Sequence, residues 1–221
     1  MTAGGLKLYS YWRSSAAYRV RIALNLKGLN YEQIPVHLVR DGGEQHRPEY
    51  LAVNPQKLVP VLVDGRRVIR QSMAIIEYLD ETYDGEAKLL PTTARDRARV
   101  RALAMIVACD IHPLNNTRVM RYLEHELGAD EDARHRWIRH WIGEGFRSFE
   151  DLIARHPSTG QFCEGDTPTL ADICLVPQVY NARRFGVDMS AYPTIEAIVA
   201  SCLELSAFDA ARPENQPDAE V

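Results

Sequence analysis

The chain has 221 residues, of which 46% are hydrophobic and 25% are charged, proportions typical of a soluble globular protein with room for two small domains. Its formal net charge of −4 provides no broad basic surface, so we expect no nucleic-acid partner. The four cysteines are scattered and residues 1–5 lead directly into an apolar run, so we expect buried reduced thiols, no metal site, no membrane partner and a cytoplasmic location.

An apolar strand from Leu6 to Trp12 is followed by a helix that begins at Ser14 and ends before Gly28. Ser14 is a favourable N-cap, because its hydroxyl can accept a hydrogen bond from an amide one turn into the helix. The apolar positions follow helical spacing, which leaves Arg19 and Arg21 to face either outward or towards a ligand. The positive end of the helix dipole would stabilise an anion in front of Ser14.

Such an anion could be a thiolate. To lower the pKa of a thiol from about 8.5 by about two units, the site must stabilise the thiolate by roughly 2.7 kcal/mol. A hydroxyl donor together with a helix end could provide this stabilisation. The turn after the first strand contains no cysteine, so the sulfur would have to come from a bound small molecule. This segment by itself is equally compatible with the alternative that Ser14 and Ser15 only cap a helix.

Residues 59–83 predict a turn, a β-hairpin and a second capped helix. A cis bond before Pro60 would turn the backbone of Val59 outward, where its amide and carbonyl could pair with an extended peptide-like ligand. Two short apolar runs flank Asp64-Gly65, a pair that suits a tight hairpin turn. Ser72 follows as a hydroxyl N-cap, which could present free amides to a carboxylate.

The remaining sequence predicts helices, so we place a domain boundary near residue 85 and divide the chain into residues 1–85 and 86–221. One long helix is expected from Thr93 to Gly128, with a kink at Pro113. This kink either turns His112, Asn115 and Asn116 towards the active site or only improves packing. Further elements are expected as a helix from Glu131 to His156, a capping box at Thr169–Asp172, a helix from Pro193 and a loose tail from Pro213 to Val221.

Short motifs along nearly the whole chain resemble those of glutathione transferases, and specifically of the zeta class. They are Tyr9–Ser15, Arg19–Leu24, Asp41–Gly43, Asn54-Pro55, Val59-Pro60, Gln71-Ser72, Ala74–Leu79, Ile111–Asn116, Thr169–Asp172 and Val176–Gln178. Members of this class typically have Ser-Ser-Cys-Ser where this chain has Ser14-Ser15-Ala16-Ala17. No role of that cysteine, or of the serine after it, can therefore be carried over.

The resemblance implies an α/β plus all-α fold, with a thioredoxin-like N-terminal domain followed by an all-helical C-terminal domain, and glutathione as the cofactor. By match to the family motifs, Ser14 would polarise the glutathione sulfur, with Ser15 and Arg13 as further catalytic residues. The residues expected to bind glutathione are Gln45, Val59, Gln71, Ser72 and His112. Those expected to bind the acceptor substrate are Arg13, Asn116, Arg118 and Arg184, although each arginine could instead be a solvated surface charge.

The resemblance further implies a homodimeric isomerase that converts maleylacetoacetate to fumarylacetoacetate in aromatic amino-acid catabolism. In this chemistry a thiolate adds to the cis double bond of a conjugated diketo acid, the resulting single bond rotates, and the thiolate leaves. Three alternatives stay open. They are an isomerase of maleylpyruvate, a general glutathione transferase in which Tyr9 or Tyr11 activates sulfur, and a non-catalytic binding protein on the same scaffold.

Overall fold

The computed structural model describes residues 5–84 and 87–220. The chain divides into two compact units, the first formed by Met1–Leu89 with Leu205–Val221 and the second by Leu90–Glu204. The boundary predicted near residue 85 falls at residues outside the described ranges. Residues 205–220 belong to the first unit, whereas the predicted division into residues 1–85 and 86–221 places them in the second domain. No helix in the described ranges is long and apolar enough to cross a membrane.

The first unit contains a four-stranded sheet and helices in a thioredoxin-like arrangement. Its elements are β1 Leu6–Ser10, α1 Ser15–Leu26, β2 Tyr31–Pro35, α2 Pro48–Val53, β3 Val61–Asp64, β4 Arg67–Arg70 and α3 Ser72–Thr82. The strand order is β2-β1-β3-β4. Strand β1 is parallel to β2 and antiparallel to β3, and β3 pairs with β4 in the predicted hairpin. The first strand is thus shorter than predicted, because Tyr11 and Trp12 already belong to the turn that leads to α1.

The second unit is helical, with α4 Ala94–Met105, α5 Thr117–His125, α6 Glu131–Ile153, α7 Leu170–Arg184 and α8 Pro193–Leu203. The single helix predicted from residue 93 to residue 128 is interrupted. Helix α4 continues into a π-helical turn at Ile106–Ile111 and a 3-10 turn at His112–Asn115, and Asn116 is extended. Pro113 explains this break, because its ring and its missing N–H do not fit the interior of an α-helix.

Residues 205–220, called the C-terminal segment below, pack on the first unit. Helix α9, Ser206–Asp209, contacts α1, and a 3-10 turn follows at Pro213–Asn215. The side chains of Asp218 and Glu220 then form hydrogen bonds to residues of the first unit. The loose tail predicted from residue 213 is therefore wrong for the residues that the structure describes.

Helix α1 is buried almost all round, which corrects the expectation that Arg19 and Arg21 face outward or towards a ligand. Every residue from Ala17 to Leu24 is buried, and Arg19 and Arg21 are only 2% and 0% exposed. The helix contacts α3 and also α9 of the C-terminal segment. This segment covers a face that the sequence pattern assigned to solvent or to a ligand. Both arginines therefore lie inside the first unit and neither faces outward.

Three of the four cysteines are buried as predicted, whereas Cys109 in the π-helical turn is exposed. Burial raises the pKa of the Cys163 and Cys202 thiols, so both remain protonated at neutral pH. Asp172, which is also buried, accepts the amides of Cys163 at 2.8 Å and Thr169 at 2.7 Å. The predicted capping box at the start of α7 is thereby confirmed.

Candidate functional site

Predicted site residues of the first unit lie at one edge of its sheet. Ser10 pairs with Pro35, Tyr9 pairs with Val61, and Val61 pairs with Arg70. The carboxyl ends of β1, β2 and β4 and the amino end of β3 consequently lie along the same edge. The segments that adjoin these strand ends carry Arg13, Ser14, Ser15, Gln45, Val59, Gln71 and Ser72.

Ser14 is the N-cap of α1, as predicted. Its Oγ accepts a hydrogen bond from the Ala17 amide at 3.2 Å, and its own backbone is extended, with φ −73° and ψ 117°. No acceptor for the hydroxyl proton of Ser14 occurs within residues 5–84 and 87–220. The amides of Ser15 and Ala16 lie in the first turn, where they have no intrahelical partner. These donors together could stabilise a thiolate in front of α1.

Arg13 adjoins Ser14 and contacts two aromatic side chains. Its guanidinium lies 4.9 Å from the centroid of the Trp12 ring, and its Nη2 lies 3.5 Å from the Tyr11 hydroxyl. A stacked guanidinium keeps its charge and its planar set of donors, which match the geometry of a carboxylate. The position of Arg13 therefore suits an anionic substrate, and its role in catalysis stays a prediction.

Val59 precedes a cis peptide bond to Pro60, the isomer that the sequence allowed but did not fix. The residue is only 7% exposed, and neither its amide nor its carbonyl has a hydrogen-bond partner within the described ranges. Buried backbone groups are rarely left without partners. An extended peptide alongside Val59 would supply a donor and an acceptor, so this backbone fits a tripeptide such as glutathione.

Gln45 lies in a 3-10 turn, Glu44–His46, and is 6% exposed. Its Nε2 donates to the Leu38 carbonyl at 3.2 Å, while its Oε1 is buried without a partner among the described residues. Gly43 makes room for this side chain: its φ is 106°, and a Cβ there would lie 2.5 Å from the Gln45 amide. The unpaired Oε1 could accept a hydrogen bond from a ligand.

Gln71, and not Ser72, is the N-cap of α3, which corrects the prediction of a hydroxyl cap. Gln71 has φ 73° and ψ 120° and forms no side-chain cap, so the Ser72 amide is open to an anion. The Gln71 side chain donates to Gln56 Oε1 at 3.0 Å, and Ser72 Oγ accepts from Arg19 Nη1 at 3.4 Å. A positive φ in a residue other than glycine is strained, and such residues are concentrated at ligand sites.

The predicted site residues of the second unit lie on three separate elements. His112 begins the 3-10 turn before α5, Asn116 caps α5, and Arg184 ends α7. The Asn116 side chain accepts the Arg118 amide at 3.1 Å, so the structure brings these two residues together. Arg118 is exposed, and the exposed Arg184 places its guanidinium 4.9 Å from the centroid of the Phe185 ring. The substrate contacts of all four residues stay predictions.

Sequence reasoning did not place Arg21 or Asp218 at the turn before Ser14, although both side chains contact this turn. Arg21 donates to the carbonyls of Tyr11 and Trp12, and Asp218 accepts the Trp12 amide. Arg21 lies four residues after the apolar Ala17 and therefore on the same face of α1, a spacing that could have indicated its burial. Asp218 had no comparable local signal.

Known proteins are similar to this chain in both sequence and fold. Residues 8–87 match the family described as glutathione S-transferase, N-terminal domain. A probable maleylacetoacetate isomerase of Vibrio cholerae is 55% identical over 214 residues, which cover 97% of this chain and 98% of that protein.

Two solved structures have a TM-score of 0.93 and cover 97% of this chain and 100% of their own. One is a holo maleylpyruvate isomerase, described as a bacterial glutathione S-transferase in the zeta class, at 53% identity. The other is a maleylacetoacetate isomerase from Methylobacterium extorquens AM1 with bound malonate and glutathione, at 44% identity. The chain therefore belongs to the zeta class of the glutathione S-transferase family.

Proposed function

We propose that this protein converts maleylacetoacetate to fumarylacetoacetate by glutathione-dependent cis–trans isomerisation, in aromatic amino-acid catabolism. The observation that carries the proposal is the Ser14 hydroxyl, which caps α1 through Ala17 and keeps its proton free to bind an anion. The name of the Vibrio cholerae relative supports the substrate. A second relative holds malonate, which is a dicarboxylate, together with glutathione.

When bound, glutathione would supply a thiolate that adds to one carbon of the cis double bond and leaves after rotation, so that it is not consumed. Ser14 would donate a hydrogen bond from its hydroxyl to this sulfur. The Ser15 amide, at the positive end of the α1 dipole, would stabilise the thiolate further. Val59 would pair with the tripeptide backbone through its unpaired amide and carbonyl. The γ-glutamyl end would be held by Gln71 and Ser72, and Gln45 and His112 would provide further contacts.

The acceptor substrate carries carboxylates and develops negative charge on oxygen during the reaction. Arginines recognise carboxylates through paired, charge-assisted hydrogen bonds, and fixed donors stabilise developing charge. Arg13, which adjoins Ser14, would serve the reacting end of the substrate. We propose Asn116, Arg118 and Arg184 as the other substrate-binding residues, by match to the family motifs.

Maleylpyruvate is a second candidate substrate, because the zeta-class maleylpyruvate isomerase is as similar in fold, with a TM-score of 0.93 at 53% identity. The same addition and rotation work on this shorter diacid. The glutathione half of the site would be unchanged, so only the residues that bind the acceptor would distinguish the two substrates.

A side-by-side assay of the purified protein tests the proposal. Each substrate is supplied with and without glutathione, and both the trans product and the remaining free thiol are measured. We expect glutathione-dependent conversion of maleylacetoacetate at the higher kcat/KM, with no loss of thiol. A higher kcat/KM for maleylpyruvate would overturn the substrate assignment. Consumption of the thiol would instead indicate a conjugating transferase, and no turnover would indicate a binding protein.

We also propose a cytoplasmic homodimer. Four free cysteines suit a reducing compartment, and the resemblance to the zeta class supports a dimer. Size-exclusion chromatography with light scattering tests whether the protein is a homodimer. A mass equal to that of one chain would contradict it.

A further inference from the structure

The backbone of Trp12, two residues before Ser14, is held by two side chains of opposite charge. The Trp12 amide donates to Asp218 Oδ2 at 3.0 Å, and the Trp12 carbonyl accepts from Arg21 Nη2 at 2.9 Å. Asp218 belongs to the C-terminal segment and Arg21 to α1. Residues that are distant in the sequence therefore meet at the backbone of one residue of the turn.

Both charged side chains are fixed by further hydrogen bonds. Arg21 is 0% exposed, its Nε donates to the Ala211 carbonyl at 3.0 Å, and its Nη1 donates to Ser10 Oγ at 3.2 Å. Burial lowers the pKa of Arg21 to about 10, so the guanidinium is still charged at neutral pH. The second oxygen of Asp218, Oδ1, accepts from Gln33 Nε2 at 2.9 Å. Each carboxylate oxygen thus has its own donor, and neither charge can move without breaking other bonds.

The geometry of Ser14 depends on this turn. The Ser14 amide donates to the Tyr11 carbonyl at 3.0 Å, and Arg21 Nη1 donates to the same carbonyl at 3.4 Å. The Trp12 amide and the Tyr11 carbonyl belong to the same planar peptide group. A rotation of this group would therefore displace the Tyr11 carbonyl and with it the Ser14 amide and hydroxyl. Displacements of about 1 Å in a reacting group can reduce the rate about a hundredfold.

We propose that Asp218 and Arg21 are positioning residues for the reaction. Asp218 holds the Tyr11–Ser14 turn by an amide, and Arg21 holds it by two carbonyls. The Ser14 hydroxyl and the Arg13 guanidinium therefore meet the ligand in one geometry. The identity of that ligand rests on the proposed function. Charge-assisted hydrogen bonds suit this task, because they are shorter and stronger than bonds between neutral groups.

Three variants of the full chain test the proposal. Asp218→Ala removes both hydrogen bonds of the carboxylate, whereas Asp218→Asn keeps an acceptor oxygen without the charge. Asp209→Ala is the matched control, because it removes the same charge from the same segment at an exposed pair with Arg212 at 3.5 Å. We expect kcat/KM about tenfold lower in Asp218→Ala, partly restored in Asp218→Asn and unchanged in Asp209→Ala.

The pKa of the enzyme-bound glutathione thiol distinguishes positioning from general stabilisation. It is read from the ultraviolet absorbance of the thiolate as pH is raised, and we expect a higher thiol pKa in Asp218→Ala than in the unsubstituted protein. If Asp218→Ala lowers only the melting temperature and leaves kcat/KM and this thiol pKa unchanged, the proposal is overturned.

Hydrogen exchange supplies a measurement that does not need glutathione. We expect the amides of Trp12 and Ser14 to exchange faster in Asp218→Ala and at the original rate in Asp209→Ala. If the unsubstituted protein neither binds glutathione nor isomerises the diketo acids, the proposed function fails. The exchange measurement then still tests whether Asp218 holds the Tyr11–Ser14 turn. Unchanged exchange at both amides would refute the positioning role by itself.

Discussion

The hydroxyl oxygen of Ser14 accepts a hydrogen bond from the Ala17 amide at 3.2 Å. This one bond ends the run of free amides at the start of α1 and also orients the hydroxyl proton away from the helix. The side chain therefore has a structural role, and in the proposed function it has a chemical role as well. The two roles can be measured separately, because only one of them depends on a bound thiol.

Ser14→Ala removes both the cap and the donor. We expect kcat to fall about a hundredfold, as on removal of one preorganised donor, and the free energy of unfolding to fall by about 1 kcal/mol through loss of the cap. Isomerase assays and urea unfolding measure the two effects. Ser14→Thr is the control, since it keeps a hydroxyl and should keep most of both. Full activity in Ser14→Ala, with loss of activity in Tyr11→Phe, would instead support a tyrosine-dependent transferase.

Gly43→Ala should weaken glutathione binding by displacing Gln45. The added Cβ would lie 2.5 Å from the Gln45 amide, whereas Gly42, which also has a positive φ of 83°, has open space around its Cβ position. Gly42→Ala is therefore a control for backbone strain, which we expect to cost each variant about 1 kcal/mol of folding stability. Calorimetry should show a Kd for glutathione about tenfold higher in Gly43→Ala than in Gly42→Ala, equivalent to about 1.4 kcal/mol. Equal affinities would exclude Gln45 as a ligand contact.

Arg13→Ala tests the proposal that Arg13 binds the reacting end of the acceptor substrate. Loss of a hydrogen bond to a charged group costs about 1.5–3 kcal/mol, so KM for the diketo acid should rise roughly tenfold to hundredfold. The Kd for glutathione should stay unchanged. Arg66→Ala, which removes the same charge from the exposed hairpin turn, is the control and should leave KM unchanged. An equal rise in the glutathione Kd would show that Arg13 serves the cofactor instead.

The hairpin carboxylate Asp64 makes a contribution to stability that depends on pH. Its Oδ2 accepts the hydroxyls of Tyr78 at 2.5 Å and Tyr83 at 2.7 Å, and the hydrogen bond from Tyr78 is the main reason that the pKa of Asp64 lies below its ordinary 3.8. Because the folded state holds the proton more weakly, this contribution is fully present above the unfolded pKa. It is lost as pH falls through the lower folded pKa.

Tyr78→Phe should therefore reduce the acid dependence of the free energy of unfolding, measured with urea at a series of pH values. Tyr122→Phe, at a residue that is 60% exposed, is the control and should follow the unsubstituted protein. If both variants lose the same stability at every pH, Asp64 is not the group that titrates.

Features that depend on a few neighbouring residues were predictable from the sequence. The cap at Ser14 and the hairpin turn with Gly65 at φ 57° are both present. In each case the side chain or the glycine acts on backbone within about three positions, so the sequence pattern contains the cause. The cis bond before Pro60 is also present, but the sequence alone did not fix this isomer, because the trans form is the more stable one in an isolated chain.

Features that depend on distant parts of the chain were not predictable. The burial of Arg21 requires the Ala211 carbonyl as its partner, and the order of the C-terminal segment requires Gln33 and the Trp12 amide as partners of Asp218. A polar sequence such as that of residues 213–220 resembles a loose tail until these partners are known. Periodicity likewise did not reveal the π-helical turn that contains the exposed Cys109, because the helix ends directly after this turn and leaves too few positions to show a shifted pattern.

Helix α6 contains two glycines whose substitution should have opposite effects. A Cβ at Gly145 would lie 2.2 Å from Ile111 Cγ1, whereas a Cβ at Gly143 would meet only the Tyr192 hydroxyl at 3.6 Å. Ile111 is 0% exposed and branched at Cβ, so it has little freedom to move aside. Gly145→Ala should therefore cost about 1–3 kcal/mol of folding stability through overpacking.

Gly143→Ala should instead stabilise the protein by roughly 0.5–1 kcal/mol, since alanine loses less conformational freedom than glycine when the helix forms. Urea unfolding of the two variants measures the difference, and their shared helix makes each the control for the other. Equal stabilities would mean that α6 can move away from the π-helical turn. The close approach of α6 to Ile111 would then not constrain the segment that leads to His112.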